Sequence, residues 1–340
     1  MADSRLGLAV FGAGRIGTVH ARSVSRHVPG ATLVGVADID RDAAQRLVDD
    51  AGMGRVSDAQ AFLDDPAVNG VIIATPTDTH SELILRATSA GKHILCEKPI
   101  SRQLSETKTA EISARWARVI LQVGFQRRFD AEFSRARMLV ANGDLGQPRF
   151  LRLVGRDHRI PSIAYLKTSG GQFADQMVHE FDLARWLMAP LEIEEVYATG
   201  SALIEPALEE FGDVDTSLVV LRFSGGALGV IDNSREAIYG YDVRGEIQGS
   251  KGMVLVGHQR LDSGDLIDSK FATPDVESFT ERFADAYRAE VREFVAAIRE
   301  RREPLVGARD ALEALRIALA ADRSMRENRP VKLAEITGDR

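Results

Sequence analysis

Short apolar runs alternate with longer stretches of helical periodicity through the first 125 residues of the chain. The apolar runs have the length of single buried strands, and the segments between them carry apolar residues at helical spacing. Strands and helices that alternate in this way form a parallel sheet with helices on both faces. We therefore predict an α/β N-terminal domain with a doubly wound sheet. Its predicted strands are at residues 6–11, 32–37, 70–75, 93–96 and 119–125.

Beyond residue 149 the pattern changes to strands that follow one another through short turns. A Ser-Gly-Gly sequence at 224–226 is typical of a hairpin, and two helices are predicted at 279–300 and 308–327. This order favours an α+β domain built on a large, mostly antiparallel sheet. Few helices remain to cover one face of that sheet, and we expect this open face to pair with another subunit. The predicted strands are at residues 150–157, 193–203, 216–223, 227–235, 243–248 and 252–256.

The turn after the first predicted strand carries the pattern Gly-x-Gly-x-x-Gly, formed by Gly12, Gly14 and Gly17. In a dinucleotide site Gly12 allows the tight turn, Gly14 lets the backbone approach a pyrophosphate, and Gly17 lets the helix pack closely on the strand. The backbone N–H groups of Arg15 and Ile16 then face the phosphates, and the helix dipole adds to the attraction. The alternative is a glycine-rich turn of another α/β protein, because the pattern alone has low specificity.

Asp38 ends the second predicted strand about 20 residues after Gly17, and Ile39 follows it. A carboxylate at this place can accept hydrogen bonds from a ribose and would repel a 2′-phosphate, so we predict NAD rather than NADP as the cofactor. The alternative role for Asp38 is to cap the next helix. Asp40 suits that role better, because it directly precedes the helix.

The carboxyl ends of the other strands are expected to line the same ligand crevice. Thr75 ends one strand and Pro76 follows it, and Glu97 and Lys98 follow the next strand. His80 begins the intervening helix, with a cofactor-binding role and a capping role equally open; Thr77 or Asp78 is available to cap this helix. These positions complete the predicted cofactor site.

Composition narrows the class of protein. The 340 residues are comfortable for two domains, and we assign residues 1–125 to cofactor binding and residues 126–340 to substrate binding and oligomerisation. The C-terminal helix is a candidate to pack back on the first domain. The net charge of −7 disfavours nucleic acid and acidic membranes as partners. With Cys96 as the single cysteine, no signal-peptide pattern and no long apolar stretch, we expect a cytoplasmic protein.

One segment of the second domain carries candidate chemistry. Residues 175–187 are predicted as a helix, on which Asp175, His179 and Asp182 share a face. A carboxylate one turn before an imidazole can orient the ring and stabilise its protonated form. The alternative is a surface ion pair worth about 0.3–0.5 kcal/mol. Motifs with metal-ligand spacing are absent from the sequence, and we predict that no metal is bound.

Lys98 is the second candidate for chemistry, because it lies at a strand end beside the expected nicotinamide position. A lysine there can donate a hydrogen bond to a reacting hydroxyl and stabilise alkoxide character as hydride leaves. The alternative is a lysine that caps a helix or serves solubility.

Three motifs together resemble the glucose–fructose oxidoreductase, inositol dehydrogenase and rhizopine-catabolism (Gfo/Idh/MocA) family. They are Gly-Ala-Gly-Arg-Ile-Gly at 12–17, Glu-Lys-Pro at 97–99, and Asp175 followed by His179, in the order and spacing of the family. The resemblance covers nearly the whole chain. It implies a Rossmann domain, an open-faced sheet domain, NAD(P), oxidation of a ring hydroxyl and tetramers formed through the sheet. It also implies Lys98, Asp175 and His179 as catalytic residues, with His179 taking the hydroxyl proton.

Within the family the inositol 2-dehydrogenases look closest, through the segments 123–130, 239–242 and 283–287. This likeness implies a site for a cyclic polyol, most simply myo-inositol oxidised to its 2-ketone, with Arg127, His158 and Tyr239 beside the catalytic residues. One departure concerns Ile160, where some inositol dehydrogenases carry an asparagine that contacts the substrate. Another inositol isomer or a pyranose sugar is therefore the alternative substrate, and a non-enzymatic NAD-sensing regulator is a further alternative.

Overall fold

The computed structural model describes residues 5–257 and 278–338. Contacts among these residues separate two units, each with one β-sheet of its own. The first unit contains residues 5–129 and 284–312, and the second contains residues 130–257, 278–283 and 313–338. Within the described residues, no helix is long and apolar enough to cross a membrane.

The first unit has a six-stranded parallel sheet that confirms the predicted α/β fold. Its strands are β1 (Leu6–Phe11), β2 (Ala31–Ala37), β3 (Arg55–Val56), β4 (Gly70–Ile73), β5 (His93–Glu97) and β6 (Leu121–Gly124). Its helices are α1 (Arg15–His27), α2 (Arg41–Ala51), α3 (Ala59–Asp64), α4 (His80–Ser89) and α5 (Leu104–Ala117). The strand order is β3-β2-β1-β4-β5-β6, so the direction of winding reverses beside β1. Ligands of such sheets bind at this reversal, outside the carboxyl ends of the strands.

Local capping in the first unit follows the sequence at α2 and departs from it at α4. The Asp40 side chain accepts a hydrogen bond from the Ala43 backbone N–H at 2.9 Å, as predicted for the start of α2. The expectation that Thr77 or Asp78 caps α4 is wrong, because a 3₁₀ turn at Thr77–Thr79 leads into that helix. The Asp78 carboxylate instead accepts a hydrogen bond from Arg102.

The second unit has a seven-stranded mixed sheet, in agreement with the predicted α+β class. Its strands are β7 (Pro148–Arg156), β8 (Ile193–Ser201), β9 (Thr216–Phe223), β10 (Leu228–Ser234), β11 (Asp242–Gly249), β12 (Met253–Val256) and β13 (Val331–Lys332). Its helices include α6 (Ala131–Ala141), α7 (Ile163–Ser169), α8 (Gln172–Asp175), α9 (Val178–Met188) and α10 (Phe279–Arg282). The strand order is β12-β11-β7-β10-β9-β8-β13, in which β7 and β10 are parallel and the other neighbours are antiparallel.

The two faces of the second sheet differ in cover. Helices α9 and α6 pack against β7 and β12. Along β9, buried and exposed residues alternate, as expected when one face packs on a core and the other does not. The second face, which we call the uncovered face with respect to the described residues, bears exposed apolar side chains on three strands: Leu218, Val220, Leu228, Met253 and Leu255.

Two long helices follow, α11 (Ala284–Glu300) and α12 (Ala308–Glu327). The single predicted helix at 279–300 is in fact α10 and α11, which are separated at Phe283. Helix α11 belongs to the first unit, where Val291, Phe294 and Val295 join the same apolar core as Leu8 and residues of α1 and α2. A helix from late in the chain thus completes the core of the parallel-sheet unit.

The predicted continuous helix from Asp175 to Leu187 is also wrong. The chain forms α8 and α9 with Gln176 and Met177 between them. At Met177 the backbone N–H bonds to the Gln172 carbonyl oxygen at 2.9 Å, five residues back, so the turn is wider than an α-helical one. Asp175 and His179 therefore lie on two different helices.

Candidate active site

The loop between β1 and α1 has the geometry of a phosphate-binding turn. Gly12 has φ of +100°, and a side chain there would come within 2.5 Å of the Ala74 carbonyl oxygen. A Cβ at Gly17 would collide with the Gly12 carbonyl oxygen, so the helix approaches the loop as closely as glycine allows. At Gly14 no atom of the described residues lies within 4 Å of a Cβ position. This arrangement leaves open space above the start of α1, which carries no acidic residue in its first turn.

Asp38 connects this loop to the end of β2. Its Oδ2 accepts a hydrogen bond from the Ala13 N–H at 2.5 Å, and its Oδ1 accepts one from the Asp40 N–H at 2.8 Å. A carboxylate oxygen can accept more than one hydrogen bond, so each oxygen keeps capacity for a hydroxyl of a bound ribose. Ile39 beside it is fully exposed. The loop, the helix start and this carboxylate fit a dinucleotide.

His80 joins the chain segments that leave β4 and β5. Its ring is buried, with Nδ1 at 2.8 Å from the Pro99 carbonyl oxygen and Nε2 at 2.8 Å from the Thr75 carbonyl oxygen. The ring therefore contacts backbone on both sides and holds two segments of the candidate cofactor site together. Pro76 lies exposed next to Thr75.

The ends of β5 and β6 carry the charged residues of the first unit's site. Lys98 directly follows β5 and is half-buried, whereas Arg127 lies in a 3₁₀ turn after β6 and is only 4% exposed. The Glu97 carboxylate lies 2.7 Å from Nε2 of His20 on α1. Sequence reasoning missed His20, although a histidine among the buried positions of an amphipathic helix was a usable signal.

In the second unit the Asp175 carboxylate is fixed by two side chains that sequence reasoning did not identify. Tyr165 donates its hydroxyl hydrogen to Oδ1 at 2.9 Å, and Arg235 donates to Oδ2 at 3.3 Å. Arg235 is fully buried and lies 3.6 Å from the Asp213 carboxylate as well. Desolvation and the negative charge of Asp175 raise the pKa of Tyr165, so its hydroxyl remains a donor. The sequence signal for this cluster was Arg235, a charged residue at the end of a predicted strand.

The other predicted residues of the second unit occupy different settings. His179 is half-buried near the start of α9, and His158 is half-buried just after β7. The His158 Nδ1 is buried without a hydrogen-bond partner among the described residues. Tyr239 donates to Asp242 at 2.9 Å and accepts from Arg156 at 2.8 Å. Desolvation, followed by the Asp242 charge, raises the pKa of Tyr239.

The sheet order, the glycine turn and the carboxylate of Asp38 at the end of β2 are the features of the NAD-binding part of a Rossmann-type dehydrogenase. Comparison with known proteins makes this assignment specific. A model of an oxidoreductase family's NAD-binding Rossmann fold matches residues 6–125, and a model of its C-terminal alpha/beta domain matches residues 137–333. The chain belongs to this family, Gfo/Idh/MocA, and is an NAD-dependent dehydrogenase acting on CH–OH groups. The resemblance stated from the motifs is confirmed.

Individual relatives are similar over nearly their whole length. The chain is 39% identical to the myo-inositol 2-dehydrogenase of Thermotoga maritima, over 97% of this chain and 99% of the relative. It is 37% identical to the scyllo-inositol 2-dehydrogenase (NAD(+)) of Bacillus subtilis, over 96% and 95%. A crystal structure of scyllo-inositol dehydrogenase from Lactobacillus casei, with bound NAD(H) and scyllo-inositol, aligns with a TM-score of 0.87 at 26% identity and covers 97% of this chain and 100% of that one.

Proposed function

We propose that this dehydrogenase oxidises the C2 hydroxyl of myo-inositol to the ketone 2-keto-myo-inositol (scyllo-inosose). The observation that carries the proposal is the Asp175 carboxylate, four residues before His179. The buried Arg235 and the half-exposed Tyr165 both donate hydrogen bonds to it. A fixed carboxylate of this kind can orient an imidazole as general base for a hydroxyl proton. The end-to-end likeness to a myo-inositol 2-dehydrogenase supports this choice of substrate.

In this proposal three side chains take part in the oxidation of the hydroxyl. His179 takes the hydroxyl proton as general base, and Asp175 stabilises the imidazolium that forms. Lys98 donates a hydrogen bond to the same oxygen and stabilises the negative charge that develops on it. NAD, when bound, accepts the hydride from the carbon.

The other residues of the proposed site bind the cofactor or the substrate. Asp38 and Ile39 would hold the adenosine ribose side of NAD, and the glycine loop would hold the pyrophosphate. Substrate contacts are proposed for Arg127, His158 and Tyr239. The full set proposed for the cofactor is Gly12, Gly14, Arg15, Ile16, Gly17, Asp38, Ile39, Thr75, Pro76, His80, Glu97 and Lys98.

A second candidate substrate is scyllo-inositol or another inositol isomer, with pyranose sugars next. The relative from Bacillus subtilis is a scyllo-inositol 2-dehydrogenase, and its identity to this chain is close to that of the myo-inositol enzyme. Ile160, which cannot donate or accept side-chain hydrogen bonds, leaves the hydroxyl pattern to other residues. A non-enzymatic NAD-sensing role is the remaining alternative.

We also propose that the enzyme is a cytoplasmic homotetramer assembled through the uncovered face of the second sheet. The apolar side chains on that face support an interface, because contiguous exposed apolar surface marks sites of association. The fully buried single cysteine, Cys96, agrees with a reducing compartment.

The deciding experiment is a comparison of kcat/KM over a panel of inositol isomers, glucose, galactose and xylose, each with NAD and with NADP. We expect the highest kcat/KM with myo-inositol and NAD. A higher value with scyllo-inositol or a pyranose would reassign the substrate. Tight NAD binding without NADH formation on any member would favour the regulator, and a preference for NADP would contradict the role given to Asp38.

A further inference from the structure

Three ionisable side chains from distant parts of the sequence meet inside the first unit. They are His20 on α1, Glu97 at the end of β5 and Glu290 on α11, and one polar atom from each lies within 4.8 Å of the other two. His20 and Glu290 are fully buried, and the Glu97 side chain is 12% exposed. Groups of this kind are costly to bury, so their charges must be balanced or removed.

Each carboxylate oxygen of Glu97 has a close neighbour. His20 Nε2 lies 2.7 Å from Glu97 Oε1, which is the length of a charge-assisted hydrogen bond. The other oxygen, Oε2, lies over Gly124 on β6, where an added Cβ would come within 2.9 Å of it. The carboxylate therefore occupies space that only a glycine on the neighbouring strand leaves open.

Glu290 stands next to this pair with no such support. Neither of its carboxyl oxygens has a hydrogen-bond partner among the described residues. The nearby Gln122 amide donates to the backbone carbonyl of Glu290 at 2.9 Å and not to its side chain. An ionised carboxylate here would be buried, unpaired and beside the negative charge of Glu97, which is a strongly unfavourable state.

A bound proton fits the cluster better than a bound metal ion. Two ligands of a tetrahedral ion at about 2.1 Å from it lie about 3.4 Å apart. The 2.7 Å between His20 and Glu97 is too short for that arrangement and normal for a hydrogen bond. A metal would have to break this contact, whereas a proton on Glu290 leaves it intact.

The described surroundings of Glu290 disfavour its ionised form. Burial, followed by the charge of Glu97, raises its pKa well above the ordinary glutamate value. The same two causes raise the pKa of the buried Cys96 thiol on β5. Tyr287 on α11 contacts the His20 ring by its edge. Helix α11 also packs against the 3₁₀ turn that carries Arg127 and Arg128, of which Arg128 pairs with Asp310 at 2.8 Å.

We propose that Glu290 holds a proton at neutral pH, and that the cluster of His20, Glu97 and protonated Glu290 positions Lys98. With Glu290 neutral, the cluster keeps one carboxylate, which His20 hydrogen-bonds. Lys98 is the next residue after Glu97. A Glu97 held in one orientation therefore holds the backbone at the end of β5, where Lys98 is attached. Glu290 and His20 are positioning residues, and this positioning role rests on the proposed catalytic role of Lys98.

The proton is tested by stability against pH, which needs no turnover. The folded protein keeps a proton that the unfolded chain releases above a pKa of about 4.3, so wild-type stability falls as pH rises above that value. Glu290→Gln removes this loss. We expect the unfolding equilibrium constant of wild type relative to Glu290→Gln to rise by up to about tenfold per pH unit between about pH 5 and about pH 8.

The exposed Glu300 on the same helix supplies the control, and Glu300→Gln should show no such trend. A wild-type to Glu290→Gln ratio that stays constant over this pH range would overturn the proposal. A metal ion retained stoichiometrically by purified wild type and lost from Glu290→Gln would overturn it as well.

The positioning role is tested by kinetics on the substrate that the panel identifies. Glu290→Leu and Gly124→Ala both disturb Glu97, and we expect each to lower kcat about 10- to 100-fold with a much smaller change in the KM for NAD. Glu290→Gln, which keeps shape and neutrality, should recover most of this loss. Folded Glu290→Leu and Gly124→Ala variants with wild-type kcat would overturn the positioning role. If wild type oxidises no polyol, the proposed function fails while the pH experiment still decides the proton.

Discussion

At the scale of the residue, buried charges decide which side chains can do chemistry. Asp175 owes its fixed orientation to Arg235, which is itself fully buried between the carboxylates of Asp175 and Asp213. Breaking such a group by removal of one partner leaves an uncompensated charge and is strongly destabilising. The cluster therefore keeps the Asp175 carboxylate in place, as its proposed role beside His179 requires.

His179→Ala tests the proposed base. A positioned histidine base contributes about 10²- to 10⁴-fold to a rate, so we expect kcat to fall by about that factor. NAD affinity, measured by quenching of protein fluorescence, should stay close to wild type because His179 is not assigned to the cofactor. Wild-type turnover of the identified polyol by this variant would remove His179 from the mechanism.

Lys98→Met tests charge at nearly constant length. If the ammonium stabilises a developing alkoxide, its loss weakens binding of the transition state more than binding of NAD. We expect a large fall in kcat and a smaller change in NAD affinity, measured by steady-state kinetics and titration. If the variant retains more than about half of the wild-type kcat, Lys98 is structural and the mechanism rests on Asp175 and His179.

At the scale of the element, the close approach of α1 to the glycine loop makes a sharp prediction. Gly17→Ala places a methyl group against the Gly12 carbonyl oxygen, and overpacking of this kind costs about 1–3 kcal/mol. That cost exceeds the roughly 1 kcal/mol that alanine gains over glycine inside a helix. We expect a lower midpoint of urea unfolding for this variant.

Gly14→Ala is the matched control for the same loop. Its Cβ meets no described atom within 4 Å, and replacing glycine by alanine at a helix N-cap costs roughly 1 kcal/mol or less. We expect a smaller loss of stability than for Gly17→Ala and a clear loss of NAD affinity, because the methyl group occupies the approach to the phosphates. Equal stability of the two variants would contradict the packing argument.

At the scale of the whole molecule, the uncovered sheet face carries the prediction of a tetramer. Val220→Glu puts a charge among the exposed apolar side chains of β9 and its neighbours, and burying that charge in an interface would be costly. We expect wild type to sediment with four chain masses and the variant to dissociate. Trp116→Glu, at an 82% exposed position on α5, is the control and should remain tetrameric. A monomeric wild type would contradict the assembly.

Local features of the structure could be predicted from the sequence. The bounds of β1, β9 and α12 agree with the prediction, because apolar periodicity follows directly from the geometry of strands and helices. The Asp40 cap and the close approach of Gly17 to Gly12 also depend on residues near in sequence. These features were enough to indicate a dinucleotide-binding α/β unit and an α+β unit with one open sheet face.

Tertiary structure decided the rest, because it depends on contacts between residues far apart in the chain. His20 meets Glu97 across 77 positions and Arg235 meets Asp175 across 60, and no local pattern encodes either pair. The break after Asp175 has the same origin. Gln172 and Gln176 donate hydrogen bonds to the Asp215 and Ser234 carbonyl oxygens, and these contacts with the sheet compete with a continuous helix that the periodicity alone favours.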